Sequence, residues 1–250
     1  MSSSIQKPPW ILQLGSRPQA RLRLFCFPFA GGGSLVFRGW NQLLPPEVEV
    51  CPVLLPGREQ RFFEPPFTCL TSLVETLAQV LSSDRPFVFF GHSMGAMVSF
   101  ELARQLRREG RPLPSHLLLS GHRAPHLPAT GRLLYRLPEA EFLEELRRLN
   151  GTPQAILNNL ELMQVLTPTL RADFELVDTH RYQADLPLAC PISVFGGLSD
   201  PRACEDRLTP WREHTQGRFS LQMFPGDHFF LQSAREPLLQ AITAHLQPLL

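Results

Sequence analysis

The chain alternates short apolar runs with longer segments of helical periodicity. Residues 21–27 alternate polar and apolar side chains before becoming apolar, as a strand entering a sheet does. Comparable runs predict further strands at 48–55, 86–90, 115–119, 191–195 and 218–224. An amphipathic helix is marked by Leu70, Leu73, Val74, Leu77 and Leu81. Strands separated by helices favour right-handed crossovers, so the pattern predicts an α/β fold with a mostly parallel central sheet flanked by helices.

The strand pattern stops between residues 123 and 186, where helical periodicities replace it. Their apolar positions are Phe142, Leu143, Leu146, Leu149, Ile156, Leu157, Leu160, Met163, Leu170, Phe174 and Val177, with Gly151 as a stop. We therefore expect a lead-in at 1–20, a core at 21–122 and 187–250, and an all-helical insertion at 123–186. The insertion enters on the side where strand C-termini lie, which favours a lid over additional scaffold.

Composition excludes several classes of function. A chain of 250 residues that is 43% hydrophobic can form one large domain. Its net charge is +1 and no block of basic residues is present, so the sequence gives no sign of a nucleic-acid-binding surface. No apolar stretch approaches the ~18 residues of a membrane span, and the N-terminus lacks a signal-peptide pattern. Five cysteines without CxxC spacing fit reduced thiols rather than zinc or disulfides, so we expect a cytoplasmic protein without a metal.

The segment Gly91-His92-Ser93-Met94-Gly95 follows an apolar strand and precedes a helical stretch. In the G-x-S-x-G pattern the chain turns sharply, and glycines remove side chains that would collide there. The turn exposes the serine above the sheet, beside free N–H groups of the following helix. The pattern therefore predicts Ser93 as a nucleophile.

A serine nucleophile needs a base and an acid that orients the base. Among the eight histidines, His228 is best placed, in a short glycine-containing loop after the last strand. His92 is fixed by the turn. A structural or exposed position is the simplest expectation for His116, His214 and His245. Three others could line the pocket: His122, His126 and His180.

Asp200 is the predicted acid, because it follows a strand in a glycine-rich loop. The loop after Leu119 has no carboxylate, and Asp227 is too close to His228 in sequence to orient its imidazole. The order Ser93, Asp200, His228 matches the α/β-hydrolase arrangement. In that arrangement one oxyanion donor is the N–H of Met94. The other comes from the loop after the first strand, here Ala30. Phosphate binding by Gly31–Gly33 is disfavoured, because no nucleotide motif accompanies these glycines.

The chain resembles type II thioesterases, the stand-alone hydrolases that accompany nonribosomal peptide and polyketide synthases. The segments that carry this resemblance are Phe27–Gly33, Leu55–Glu59, Glu64–Pro66, Gly91–Ala96, Ser120, Ala124–Pro125, Gly151–Pro153, Leu170–Phe174 and Gly226–Leu231. Asn150 departs from the family, which often has a second glycine there; we expect an effect on the lid turn and none on the triad.

The resemblance implies hydrolysis of acyl groups held as thioesters on the phosphopantetheine arm of acyl or peptidyl carrier proteins, which clears wrong or stalled units. The resemblance also implies that no cofactor is needed and that the protein acts in trans, as a chain separate from the synthase. The acyl pocket is expected to be lined by Phe29, Phe142, Leu146, Leu157, Leu160 and Phe229. Two alternatives remain: an esterase or acyltransferase of the same fold, because a triad does not define the leaving group, and a non-catalytic binding module.

Overall fold

The computed structural model describes residues 9–15, 17–129 and 131–250, so part of the predicted lead-in lies outside the described residues. A six-stranded sheet has the order β2-β1-β3-β4-β5-β6, and every neighbouring pair is parallel. The strands are β1 Leu22–Phe27, β2 Val48–Pro52, β3 Phe87–His92, β4 Leu117–Ser120, β5 Ile192–Gly197 and β6 Phe219–Phe224. This confirms the predicted α/β fold with a mostly parallel sheet.

The helices of the described ranges cover both faces of the sheet and one end of it. They are α1 Trp40–Leu43, α2 Leu70–Val80, α3 Met94–Arg108, α4 Glu139–Leu149, α5 Gln154–Leu157, α6 Leu160–Thr179, α7 Glu205–Leu208, α8 Phe230–Ser233 and α9 Arg235–Leu246. Shorter 3-10 segments occupy Ser34–Phe37, Glu59–Arg61, Leu134–Arg136, Thr209–His214 and Gln247–Leu249.

Alternation along the strands builds two separate cores. Phe25 and Phe27 pack on one face with α2 and α3, whereas Leu24 and Cys26 pack on the other with α1 and α9. This follows from the two-residue period of a strand, because successive side chains point to opposite faces. The sheet is therefore buried on both sides, as parallel sheets usually are.

The segment between β4 and β5 contains helices and no strand among its described residues. It has its own apolar cluster, formed by Leu134, Leu137, Phe142, Leu146, Leu157, Met163, Leu170 and Phe174. A small separate core of this kind allows the helices to pack together over the end of the sheet. The domain boundaries and the lid function remain predictions.

One boundary in this segment differs from the sequence expectation. α4 ends before Asn150, which adopts a left-handed conformation with φ 59°, rather than at Gly151. α6 is one continuous helix of 20 residues with Pro168 inside it, and the Asn159 side chain caps its N-terminus by accepting from the Leu162 N–H at 3.1 Å. Asn150 can stand where a glycine would be expected, because asparagine tolerates the left-handed conformation. Asn159 stands at an N-cap, a position that asparagine favours.

Candidate active site

Ser93 lies on a tight turn between β3 and α3. Its φ of 54° and ψ of −114° are strained for a residue with a side chain. A Cβ at Gly91 would collide with the backbone of Gly95, and one at Gly95 would collide with the backbone of Phe27. The Ser93 N–H donates to the Ser120 carbonyl at 2.7 Å, which ties the turn to β4. The surrounding structure thus imposes the strained conformation that presents the hydroxyl.

Ser93, His228 and Asp200 form a continuous hydrogen-bonded chain. His228 Nε2 lies 3.0 Å from Ser93 Oγ, and His228 Nδ1 lies 2.6 Å from Asp200 Oδ2. The residues follow β3, β6 and β5 respectively, so the C-terminal edge of the sheet brings them together. The structure therefore gathers the three side chains that the sequence analysis selected, in contacts that suit proton transfer.

The environment of Asp200 keeps its carboxylate charged. Its side chain is fully buried, and burial alone raises the pKa of a carboxyl group. The hydrogen bond and charge of His228, together with the N–H groups of Arg202 and Ala203, outweigh burial and lower the Asp200 pKa. The Arg202 N–H donates to Asp200 Oδ1 at 2.9 Å. A charged Asp200 favours the tautomer with a proton on His228 Nδ1, which leaves Nε2 free to accept from Ser93.

Two residues near the serine, Met94 and Ala30, are the predicted oxyanion donors. Met94 is the first residue of α3, and Ala30 lines the same cavity as Ser93. Within the described ranges, neither N–H donates to a protein acceptor. Unpaired N–H groups at a helix start and in an adjoining loop are suited to a developing negative charge.

His92 is completely buried, and its ring lies 5.2 Å from that of His228 between centroids. Its Nδ1 lies 2.8 Å from Ser120 Oγ, and burial and the nearby His228 lower its pKa well below the ordinary value. A neutral ring in this position fills space behind His228 without competing for the proton.

The three histidines that could have lined the pocket lie elsewhere. His126 contacts His214 at 2.7 Å, and His180 lies 3.4 Å from Glu101. His122 is buried, with Nδ1 2.8 Å from the Arg123 carbonyl. None of them lines the cavity at Ser93.

A narrow cavity of about 40 Å³ opens beside Ser93 and His228. Its lining residues are Phe29, Ala30, Ser93, Leu146, Leu149, Gly151, Thr152, Leu170, Phe174, Arg202, His228 and Phe229. A volume of this size holds only a few water molecules, far less than the roughly 300 Å³ or more of a typical ligand site. A long acyl chain therefore does not fit the cavity in this conformation.

Of the six predicted pocket residues, Phe29, Leu146 and Phe229 line this cavity. Phe142 and Leu157 are buried in the apolar cluster of the helical segment and are not among the residues that line the cavity. Leu160 is 70% exposed, because α6 begins there with its first turn facing outwards. The apolar lining residues that were missed are Leu149, Leu170 and Phe174. Helical periodicity marked all three as apolar, but it did not show which apolar positions face the neighbouring core.

Asn150 connects the lid to the loop that carries His228. Its Nδ2 donates to Asp227 Oδ2 at 3.0 Å, while Asp227 Oδ1 accepts from the Phe229 N–H at 2.8 Å. Asn150 contacts no triad residue, but it holds the residue next to His228. The asparagine side chain therefore adds a contact between the turn after α4 and this loop, while the backbone keeps its left-handed conformation.

Among the described residues, no group of three or more His, Cys, Asp or Glu side chains could hold a metal ion. No helix in the described ranges is both long and apolar enough to cross a membrane.

The fold and the arrangement of Ser93, His228 and Asp200 place the chain among the α/β-hydrolases. A family model described as "Thioesterase domain" matches residues 22–246. The chain belongs to the thioesterase family, whose members hydrolyse thioester bonds.

Individual relatives cover nearly the whole chain. It is 46% identical over 243 residues to linear gramicidin dehydrogenase LgrE of Brevibacillus parabrevis, covering 95% of this chain and 92% of that protein. It is 37% identical over 243 residues to thioesterase PikA5 of Streptomyces venezuelae, covering 95% and 85%. The solved type II thioesterase BorB from the borrelidin biosynthetic cluster superposes with a TM-score of 0.86 at 36% identity, covering 95% and 97%. Despite the name of the first relative, the present sequence contains no G-x-G-x-x-G dinucleotide pattern.

Proposed function

We propose that this thioesterase hydrolyses acyl or aminoacyl groups held on the phosphopantetheine arm of carrier proteins in nonribosomal peptide or polyketide biosynthesis. The observation that carries the proposal is the Ser93–His228–Asp200 chain, which opens on an apolar cavity beneath the helical segment. Relatives named for gramicidin S biosynthesis and for the borrelidin cluster support the biosynthetic setting. The proposed role of the protein is therefore to remove unwanted acyl groups from a synthase.

The proposed reaction has two halves. His228 Nε2 takes the proton from Ser93 Oγ as the oxygen attacks the thioester carbonyl carbon, and the carbonyl oxygen becomes an oxyanion near the N–H groups of Ala30 and Met94. The C–S bond then breaks, His228 returns the proton to the leaving sulfur, and a free thiol and an acyl-Ser93 ester result. A water molecule repeats the sequence on the ester, which releases the carboxylic acid and restores Ser93.

The oxyanion donors and the triad have separate tasks in this scheme. One donor is typically worth roughly 3 to 4 kcal/mol of transition-state stabilisation. Asp200 stays charged and holds the imidazole, so the His228 cation that forms during attack is stabilised without transfer of a proton to Asp200.

A second cavity offers a place for the phosphate of the arm. It has a volume of about 180 Å³ and shares Arg202 with the cavity at Ser93. Its charged lining residues are Arg123, Arg132, Arg202, Arg207, Glu145 and Asp178. Burial and the neighbouring Arg207 lower the Arg123 pKa, as expected where positive charges are crowded. A phosphodiester is complementary to the guanidinium groups of Arg123 and Arg202, and the thioester end of the same arm would then point towards Ser93.

Deacylation of a carrier protein tests the proposal. A purified carrier domain is loaded with an acyl-phosphopantetheine and incubated with the enzyme, and its mass is followed over time. We expect loss of the acyl mass with the wild type and none with Ser93→Ala. Matched oxygen esters of the same acyl group separate the alternatives: a strong ester preference would favour an esterase, and transfer to a second acceptor without release of acid would favour an acyltransferase. A chain that binds the carrier without turnover would be a binding module.

A further inference from the structure

A buried ion pair lies behind the loop that carries Ala30, and the reaction scheme makes no use of it. Arg58 Nη2 contacts Asp173 Oδ1 at 2.7 Å, and Arg58 Nη1 contacts Asp173 Oδ2 at 2.9 Å. The two side chains are only 8% and 3% exposed. Arg58 follows β2, whereas Asp173 lies on α6, 115 positions away. This two-pronged geometry is the strong form of an arginine–carboxylate pair.

Both partners also hold the backbone of the glycine loop. Asp173 Oδ2 accepts from the Gly31 N–H at 2.7 Å, and Arg58 Nη1 donates to the Gly32 carbonyl at 2.8 Å. The Gly32 N–H in turn donates to the Phe29 carbonyl at 2.8 Å. The loop is therefore fixed from two sides by charged groups that are almost completely buried.

The contact at Gly31 has a direct effect on Ala30. The Gly31 nitrogen belongs to the peptide that begins at the Ala30 carbonyl, so holding its N–H fixes the plane of that peptide. Gly31 has φ 78°, and a Cβ there would collide with Leu170 of α6. The Ala30 N–H itself lies in the peptide that begins at the Phe29 carbonyl, and that carbonyl accepts from the Gly32 N–H at 2.8 Å. Because the peptides on both sides of Ala30 are held by hydrogen bonds, the direction of the Ala30 N–H is restricted.

We propose that Asp173, held by Arg58, is a positioning residue that orients the Ala30 N–H towards the oxyanion. Asp173 acts through the backbone and does not touch the substrate. The inference rests on the oxyanion role proposed for Ala30. It also assigns a task to two segments of the family resemblance, Leu55–Glu59 and Leu170–Phe174, which are far apart in sequence.

The test compares binding of a tetrahedral analogue with binding of a ground-state ligand. Asp173→Asn removes the charge and replaces one of the two acceptor oxygens by an NH2 group. In either orientation of the amide, this group faces a donor, either Arg58 Nη2 or the Gly31 N–H with Arg58 Nη1. Loss of one oxyanion donor typically lowers kcat by about 100- to 1000-fold, so misorientation should lower it by about 10- to 100-fold with little change in KM. A trifluoromethyl ketone should lose affinity by a similar factor, whereas the carboxylic acid product should bind as before.

A double variant separates positioning from folding, because Asp173→Asn leaves Arg58 as an unpaired buried charge. Arg58→Met with Asp173→Leu removes both charges and still lacks an acceptor for Gly31. We expect a folded protein, by thermal unfolding, whose kcat and ketone affinity remain low. Recovery of wild-type kcat in the double variant would overturn the proposal, as would equal losses of ketone and product affinity in Asp173→Asn.

The Glu101–Arg104 pair provides a matched control. Both side chains are buried, and Arg104 Nη1 lies 2.7 Å from Glu101 Oε1. Both residues belong to α3, and the pair does not touch the glycine loop. Glu101→Gln should leave the ratio of ketone to product affinity unchanged. All assays use a small acyl thioester, so a wild type that hydrolyses it but not a carrier-bound thioester would contradict the proposed function alone.

Discussion

Replacing Leu146 by alanine should enlarge the acyl site and shift chain-length preference towards longer acyl groups. Leu146 is 3% exposed and lines the cavity at Ser93 together with Leu170 and Phe174. The change removes three carbon atoms from the wall. Burial of one methylene is worth about 0.8 kcal/mol, so an acyl chain long enough to fill the space gains up to about 2.4 kcal/mol.

That gain corresponds to an increase of up to about 50-fold in kcat/KM for the longer acyl group relative to the shorter one. Partial collapse of the lid reduces the effect, so we expect about 10-fold. The assay measures kcat/KM for a series of linear acyl thioesters with the same thiol. The variant should also lose about 2 to 5 kcal/mol of stability, which requires a check that it is folded at the assay temperature.

Leu160→Ala is the matched control, because the same atoms are removed from a lid residue that is 70% exposed. It should leave the chain-length profile unchanged. If folded Leu146→Ala retains the wild-type profile, or if Leu160→Ala shifts it equally, the cavity at Ser93 is not the acyl site.

Three further predictions concern charge. Asp200→Asn should lower kcat by about 10⁴-fold with little change in KM, because the wrong His228 tautomer is then favoured; unchanged thioester turnover would contradict the triad. Arg202→Glu should raise KM more for a carrier-bound thioester than for a short thioester without phosphate; equal effects on both would exclude a phosphate contact. Burial lowers the pKa of His116 and His214 to about 4 and of His122 to about 3. Each of these histidines stays neutral in the folded protein and takes up a proton on unfolding. The free energy of unfolding should therefore fall as the pH is lowered below 6.5, by up to about 1.4 kcal/mol per pH unit for each histidine. Urea unfolding that does not change between pH 7 and 5 would contradict this.

The three side chains that meet at the candidate site could be selected from the sequence because their signals are local. Apolar runs show where strands end, and Ser93, Asp200 and His228 each follow such an end in a loop that contains glycine. Parallel strands align their C-terminal ends, so three separate local signals converge at one edge of the sheet. Strand boundaries were less exact: β2 ends at Pro52 rather than Leu55.

The lid contacts could not be predicted, because they depend on how helices cross. Leu146 and Phe142 lie one turn apart on α4, and both are buried, yet only Leu146 reaches the cavity. The periodicity of a helix identifies its apolar face, but not which part of that face meets the sheet. The contact between Arg58 and Asp173 likewise joins distant segments and gave no local signal of its own.

The most direct test of the account is to trap the acyl group on the enzyme. The wild type is mixed with an acyl-loaded carrier protein, quenched in acid within one turnover, and digested for peptide mass mapping. The account predicts an acyl mass on the peptide containing Ser93, a matching loss from the carrier, and neither change in Ser93→Ala. Deacylation of the carrier by Ser93→Ala at the wild-type rate, with no acyl mass on the enzyme, would contradict it.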